Sequence, residues 1–346
     1  EGQVANPFLD PEIITKKNVG LDLTLWDNLA LTFDVYKERT ENGVTSATSN
    51  TPEYQGIPLG NYPRTNVGIY ENKGYEIELE YTKELNRDFT ISLGGWFAHN
   101  KNKVIFWDES ERASDYAYPI RTEGYPLGQQ WGYMVDDHNG NGYFNSQEEI
   151  DESGLTYEIG TPLPGYLKYY DLNADGKIND KDKVPLGHGS LPNFFYAFNG
   201  GFKYKNFDLY FMFQGIADYW AMDMSNGRVE YRFEGIYTEW HKTAWTAERY
   251  ANGEDITYPA LSAKKNSNHE ASNFFLEDKS YLRLKNLEIG YTFNVMNGIR
   301  LFFNGQNLLT WDKLTHDIYG PEGHYNGGIE GIPVYRLYNV GLSIKF

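Results

Sequence analysis

The chain has 346 residues, and its 48 Asp and Glu residues outnumber its 31 Lys and Arg residues, giving a formal net charge of −17. This acidic excess argues against nucleic acid as a partner, because phosphate binding needs clustered basic charge. No apolar run reaches the roughly 18 residues of a membrane-spanning helix, and the absence of cysteine excludes disulfides and thiolate metal sites. The content of 16% aromatic residues together with 35 glycines indicates a folded, all-β chain.

Strict alternation of apolar and polar residues predicts strands that each have one apolar and one polar face. In chain order, these strands are predicted at 19–25, 29–35, 75–81, 89–97, 194–204, 207–213, 287–293, 299–303 and 338–346. The clearest is 75–81, in which Glu76, Glu78 and Glu80 share one face and the apolar side chains share the other. Turns of a few residues join several of these strands into hairpins.

The connections between the nine predicted strands alternate between short and long. The long ones cover about 40–69, 101–192, 217–278 and 310–333. A transmembrane β-barrel has this arrangement, with short periplasmic turns, long extracellular loops, a lipid-facing apolar side and a polar lumen. We therefore predict an all-β fold, an antiparallel transmembrane β-barrel segment of about nine strands. Since bacterial single-chain barrels have even strand counts, we expect the C-terminal part of a larger barrel.

Residues 171–182 match the pattern of a calcium-binding loop. Such loops need oxygen ligands at positions 1, 3, 5, 7, 9 and 12 and a glycine at position 6. The ligand positions hold Asp171, Asn173, Asp175, Lys177 (through its carbonyl), Asn179 and Asp182. Oxygen ligands on a flexible loop favour a structural Ca²⁺, with Mg²⁺ as the other candidate. The competing interpretation is an acidic turn in solvent.

A second and weaker match covers residues 137–148. Its ligand positions hold Asp137, Asn139, Asn141, Tyr143, Asn145 and Glu148. It carries fewer formal charges than the first loop, so a polar, turn-rich loop is an equally good interpretation.

The sequence shows no pattern of catalytic residues. The seven histidines are scattered without a zinc-binding His-Glu-x-x-His pair. The glycines of 320–328 lack the lysine and helix that a phosphate-binding loop needs. We therefore predict that the protein is not an enzyme.

Several stretches resemble the C-terminal part of SusC-like TonB-dependent transporters of the Bacteroidetes outer membrane. In order, they are 72–76, 164–178, 206–209, 245–246, 280–286 and 305–308. The terminal aromatic residue, Phe346, resembles the signal by which barrel proteins are recognised for outer-membrane assembly. Each stretch is short, but their number and order make the resemblance specific.

The resemblance implies a 22-stranded barrel in the bacterial outer membrane, plugged by an N-terminal domain that this sequence does not include. It also implies a SusD-like surface lipoprotein as a lid and import of oligosaccharides or oligopeptides. The energy would come through the TonB complex, contacted by the missing N-terminal part. The lipid bilayer would surround the strands.

The long loops are expected to recognise substrate and lid, because a rigid scaffold can hold them while their sequence varies. The leading candidates are 101–192, with 16 acidic and 8 basic residues, and 217–278. Aromatic residues that offer stacking faces there include Trp107, Tyr125, Trp131, Trp220, Tyr237 and Trp240. The alternative function is a secreted calcium-dependent glycan-binding β protein. That protein would bury the apolar face of 75–81 in its own core.

Overall fold

A computed structural model describes residues 5–46, 61–109, 111–187, 189–230, 235–295, 298–322 and 333–344. Nine strands form one antiparallel sheet in which the spatial order follows the chain order. They are β1 (Ile13–Leu25), β2 (Leu29–Ser46), β3 (Arg64–Asn86), β4 (Phe89–Phe106), β5 (Phe194–Tyr204), β6 (Phe207–Ala217), β7 (Tyr281–Phe293), β8 (Ile299–Asp312) and β9 (Leu337–Ile344). The predicted all-β fold and strand count are confirmed.

One face of this sheet is apolar across all nine strands. Residues directly opposite each other on paired strands share a face, and Leu31 lies opposite Leu79, which lies opposite Gly95, which lies opposite Phe198. Leu79 remains 44% exposed, so this face is not the interior of a sandwich. The arrangement is that of a sheet whose apolar side meets lipid.

The other face is polar, as the alternation predicts. Glu76 lies opposite Asp34, and Glu78 lies opposite Thr32. Further along the sheet, Arg300 on β8 forms ion pairs with Asp208 on β6 (2.5 Å) and Glu288 on β7 (2.7 Å). Charged groups thus collect on the side that a barrel turns towards its hydrated lumen.

Several strands run further than the alternation predicts. Strand β2 continues to Ser46 and β3 begins at Arg64, so their connection covers 47–63 rather than 40–69. Likewise β4 ends at Phe106 and β8 at Asp312. Backbone pairing continues past the apolar band through register shifts near Thr40 and Gly43, where the side-chain alternation no longer marks a strand. The short turns lie where they were predicted.

The long connections contain small elements of their own. The helices are α1 (Gln147–Ser153) and α2 (Ala247–Ala251), with 3₁₀ turns at Asp180–Asp182, Glu239–Thr243, Ser267–His269 and Asn273–Phe275. Short strands lie at Gln130–Gly132, Thr156–Tyr157, Lys177–Ile178, Val184–Leu186, Trp220–Met222 and Leu276–Asp278. None of the helices in the described parts of the chain is long and apolar enough to cross a membrane.

The hydrophobic core of the molecule lies in these connections rather than against the sheet. One cluster joins Tyr133, Phe144 and Ile178 of the first long connection to Trp245 of the second. A smaller cluster surrounds Phe275. We call the described residues of 107–193, 218–280 and 313–322 the loop module, because they pack as one unit.

Candidate functional site

The loop 171–182 closes around its own carboxylates. The carboxylate of Asp171 accepts hydrogen bonds from the backbone N–H groups of Asp175 (3.2 Å) and Gly176 (2.8 Å). The carboxylate of Asp182 accepts from those of Leu172 and Asn179, both at 2.9 Å. Gly176 has a φ of 80°, a conformation in which glycine avoids a Cβ clash. The sharp turn required at position 6 is therefore present.

No lysine, arginine or histidine of the described residues forms an ion pair with Asp171, Asp175 or Asp182. The nearby lysines are taken by other acids, since Lys177 pairs with Glu158 (2.7 Å). The other pairs are Lys181 with Asp115 and Lys183 with Asp180. The loop thus keeps three carboxylates without an ion-pair partner among the described residues.

Asp182 is the most enclosed of these acids, with only 1% of its surface exposed. Burial raises the pKa of its carboxyl, partly offset by its backbone hydrogen bonds, and the charge of Asp171 raises it further. Within the described residues, no three His, Asp or Glu side chains are grouped so that they alone could hold a metal ion. A cation here would therefore depend on the amide and carbonyl oxygens as well.

The second loop, 137–148, is closed by an amide. The side-chain N–H groups of Asn139 donate to the carbonyl of Tyr143 and to Glu149 Oε1, both at 2.7 Å. Glu149 also accepts from the backbone N–H of Asn145 (2.8 Å). Glu148 is exposed in the first turn of α1. The geometry thus puts Glu149, not Glu148, at the end of this loop. Asp137 is exposed, while Asn141 donates to the side-chain oxygen of Asn145 (2.8 Å) within the loop.

Four of the six aromatic candidates contribute to packing within the module. The rings of Tyr125 and Trp131 pack edge to face with centroids 5.0 Å apart. Trp220 lies directly on Gly187, where an added Cβ would approach it to 2.8 Å. The guanidinium of Arg228 stacks on the ring of Trp240 at 4.4 Å.

The two remaining candidates are more accessible. Tyr237 is 58% exposed, and Trp107 is partly buried just beyond the end of β4. The structure therefore does not bring the six rings together into one stacking surface.

A buried polar network in the second long connection has no counterpart among the predicted residues. Glu230 is fully buried and accepts hydrogen bonds from Tyr258 Oη (2.8 Å) and the backbone N–H of Ser262 (2.9 Å). Its carboxylate also lies 2.9 Å from Nε2 of the buried His269. Burial alone would raise the pKa of Glu230, but these partners more than offset it, and the pKa is lowered. No sequence motif marks this network.

The segment 313–322 is held on the rest of the loop module by further buried acids. Thr315 donates from its backbone and hydroxyl groups to Glu277 (3.1 and 2.6 Å), which also pairs with Arg228. Tyr319 donates its hydroxyl to Asp223. The ring of His316 packs on Tyr319 at 4.3 Å. Burial, followed by the charge of Arg228, lowers the pKa of His316 to about 4.

The chain is similar to known proteins in both sequence and fold. A sequence model of the family described as "TonB dependent receptor-like, beta-barrel" matches residues 1–308. The chain belongs to this family. This receptor segment is an outer-membrane β-barrel protein, which confirms the predicted location. Its matched relatives are receptors and transporters rather than enzymes, as predicted.

Two curated relatives extend over nearly the whole receptor segment. TonB-dependent receptor P3 of Formosa agariphila is 29% identical, over 99% of this chain and 35% of its own length. TonB-dependent receptor SusC of Bacteroides thetaiotaomicron is 24% identical, over 93% of this chain and 32% of its own length. The chain therefore spans about a third of these relatives, and its resemblance to SusC-like proteins is confirmed.

A solved structure shares the fold. It is described as the structure of the RagAB peptide transporter, and it superposes with a TM-score of 0.68 at 20% identity, over 96% of this chain and 35% of that one. The predicted assembly signal, Phe346, lies outside the described residues and stays a prediction.

Proposed function

We propose that this chain is the C-terminal barrel part of a TonB-dependent importer of oligosaccharides or oligopeptides. The observation that carries the proposal is the sheet, with one continuous apolar face and an opposite face of charged side chains. Such a sheet fits a barrel wall between lipid and a hydrated lumen. A secreted glycan-binding protein would bury the apolar face, but Leu79 and Leu93 are 44% and 48% exposed.

The proposed partners are a SusD-like surface lipoprotein and TonB. The lipoprotein would act as a lid on the loop module. The long connections that form this module join the strands at the end of the sheet opposite the short turns. TonB would be contacted by a part of the transporter that this chain does not span. The similarity to SusC supports both assignments.

The charge on the polar face bears on the substrate class. Five carboxylates, listed from β1 to β3, point to this side: Asp22, Asp34, Glu76, Glu78 and Glu80. None of them forms an ion pair with another described residue. An acidic wall repels polyanions and concentrates cations. We therefore propose neutral or cationic substrates.

Uptake by cells tests this function. Labelled neutral oligosaccharides, labelled oligopeptides and sulfated oligosaccharides would be offered to the wild type, a strain lacking the transporter gene and a strain lacking TonB. We expect uptake of a neutral or cationic compound that needs both genes. Uptake that persists without the transporter, or a strict preference for the sulfated compounds, would contradict the proposal.

We also propose that loop 171–182 binds one structural Ca²⁺. The support is the set of carboxylates that form no ion pair with a described residue, together with the amide oxygens of Asn173 and Asn179 and the carbonyl of Lys177 at the expected positions in the sequence. The bound ion would screen the repulsion between Asp171 and Asp182 and stabilise the loop. Mg²⁺ suits the site less well, because it needs octahedral geometry and retains water.

Calcium binding can be measured by titration calorimetry on the full-length transporter in detergent. The double substitution Asp171→Asn and Asp175→Asn should remove one Ca²⁺ per protein. The matched control is Asp180→Asn, which changes a neighbouring acid that pairs with Lys183 outside the ligand positions. An unchanged stoichiometry in the double variant would exclude the site.

A further inference from the structure

A groove indents the apolar face of the sheet. Its cavity volume is about 450 Å³, and it lies between Leu29 of β2, Leu79 of β3, and Leu93 and Phe97 of β4. Gly95 lies opposite Leu79 in the middle of this group. Because Gly95 has no side chain, a notch remains where the neighbouring positions carry large ones.

The groove lies inside the sheet and near its short-turn end. Its lining residues lie on β2 to β5, away from the edge strands β1 and β9. Leu29 and Leu93 are within a few residues of the turns that join β1 to β2 and β3 to β4. In an outer-membrane barrel, short turns face the periplasm. The groove is therefore at the depth of the periplasmic leaflet.

Basic side chains surround this end of the groove. Lys83 is on the same face as Tyr81, about 7 Å further along β3. Arg87 and Lys205 lie in two turns that are joined by the hydrogen bond from the Lys205 N–H to the Asp88 carbonyl (2.7 Å). All three side chains are exposed, and none forms an ion pair among the described residues. Two acids lie nearby, Asp88 in the turn and Glu84 on the lumen face.

We propose that this groove binds one acyl chain of an anionic phospholipid from the periplasmic leaflet, with its phosphate against Lys83, Arg87 and Lys205. The proposal rests on the outer-membrane location and not on the substrate. Chains in bulk lipid are as apolar as the groove, so burial alone gives no preference. The preference comes from dispersion contacts that fill the notch and from the attraction between basic residues and anionic headgroups.

The location selects this occupant over two others. A lipopolysaccharide would be held from the long-loop end of the strands, whereas the groove and its basic residues lie at the short-turn end. A second copy of the chain would need a broad complementary surface, whereas this groove is a local depression around Gly95. An acyl chain matches its lining of aliphatic and aromatic side chains.

Native mass spectrometry of the delipidated full-length transporter tests the proposal. The probes are phosphatidylglycerol and phosphatidylethanolamine with identical acyl chains, and purified lipopolysaccharide. We expect one tightly retained phosphatidylglycerol, with affinity about fivefold lower for each of Lys83→Gln and Lys205→Gln. The matched control is Lys17→Gln, which removes a charge from the same face at the opposite end of the strands.

The variant Gly95→Leu should fill the notch and release the bound lipid. A Cβ at Gly95 would come within 3.2 Å of the Ala197 carbonyl oxygen, so assembly must be checked by heat-modifiable migration on gels. If this variant fails to assemble, the lysine variants decide the question alone. Equal binding of the two phospholipids, preference for lipopolysaccharide, lipid-free dimers, or lysine variants with unchanged affinity would each overturn the proposal.

Discussion

The buried carboxylate of Glu230 is expected to govern the stability of the loop module. In Glu230→Ala, the backbone N–H of Ser262 and the ring N–H of His269 lose their acceptor in a site without solvent access, while the Tyr258 hydroxyl keeps the carbonyl of Arg228. Each buried donor left without an acceptor costs about 1–3 kcal/mol, so the two together cost about 2–6 kcal/mol. The module should therefore open far more often in this variant.

The isosteric variant Glu230→Gln separates hydrogen bonding from charge. Its carbonyl oxygen can accept from Ser262 and His269. Its amide can donate to the Tyr258 hydroxyl, which then donates to the carbonyl of Arg228 at 2.8 Å. All the groups keep partners and only the charge is lost, so we expect a cost of about 1 kcal/mol.

Hydrogen exchange measured by mass spectrometry on the full-length protein in detergent reports this opening directly. At about 1.4 kcal/mol per tenfold change, amides of 258–269 should exchange about one and a half to four orders of magnitude faster in the alanine variant. Glu239→Gln is the control, because Glu239 pairs with Lys242 in solvent (74% and 70% exposed) and such pairs contribute about 0–1 kcal/mol. Equal exchange in the two Glu230 variants would refute the hydrogen-bond argument.

Three further results are expected. Because the folded pKa of His316 is about 4 against an ordinary 6.5, its contribution to stability is complete above pH 6.5 and is lost as the pH falls towards 4. In His316→Gln, the exchange rates of the module amides, relative to their intrinsic rates, should therefore change less over that range. The lowered pKa of Glu230 also makes the stability of the module fall as the pH falls, but in a lower pH range. Exchange in 258–269, relative to the intrinsic rate, should therefore accelerate again below pH 4.5, the ordinary pKa of a glutamate. Phe144→Ala should cost about 3–5 kcal/mol by the same assay, because Phe144 is fully buried, whereas Tyr250→Ala, at a 46% exposed position, should have little effect.

The sheet could be predicted from sequence because a membrane imposes a strict period of two. Every residue between Tyr75 and Tyr81 faces either lipid or water, so the pattern gives both the strand and its faces. The strand ends could not be predicted in this way. Beyond the apolar band, both faces of β2 and β3 meet water, and residues such as Thr40 and Gly43 pair without any alternation to mark them.

The interior of the loop module could not be predicted for a different reason. Its core combines residues far apart in sequence, such as Phe144 and Trp245, and no local period records such contacts. Its buried charged residues include Glu230, Glu277 and Lys279. Residues of these types are usually exposed, so their burial is not expected from sequence. The turn of residues 171–182 could be predicted because its pattern lies within twelve consecutive residues, and calcium binding there stays a prediction.

The exposed Tyr237 and the stacked Trp240 allow the recognition role of the loops to be separated from their stability. Trp240 covers the guanidinium of Arg228, so Trp240→Ala should loosen the module and accelerate hydrogen exchange. Tyr237 is 58% exposed, so Tyr237→Ala should leave exchange unchanged. If the module contacts substrate or lid at this point, Tyr237→Ala alone should weaken lipoprotein binding or uptake at unchanged stability. If neither binding nor uptake changes while Trp240→Ala alters both together with exchange, the aromatic residues here maintain the loop structure and recognition lies on another part of the module.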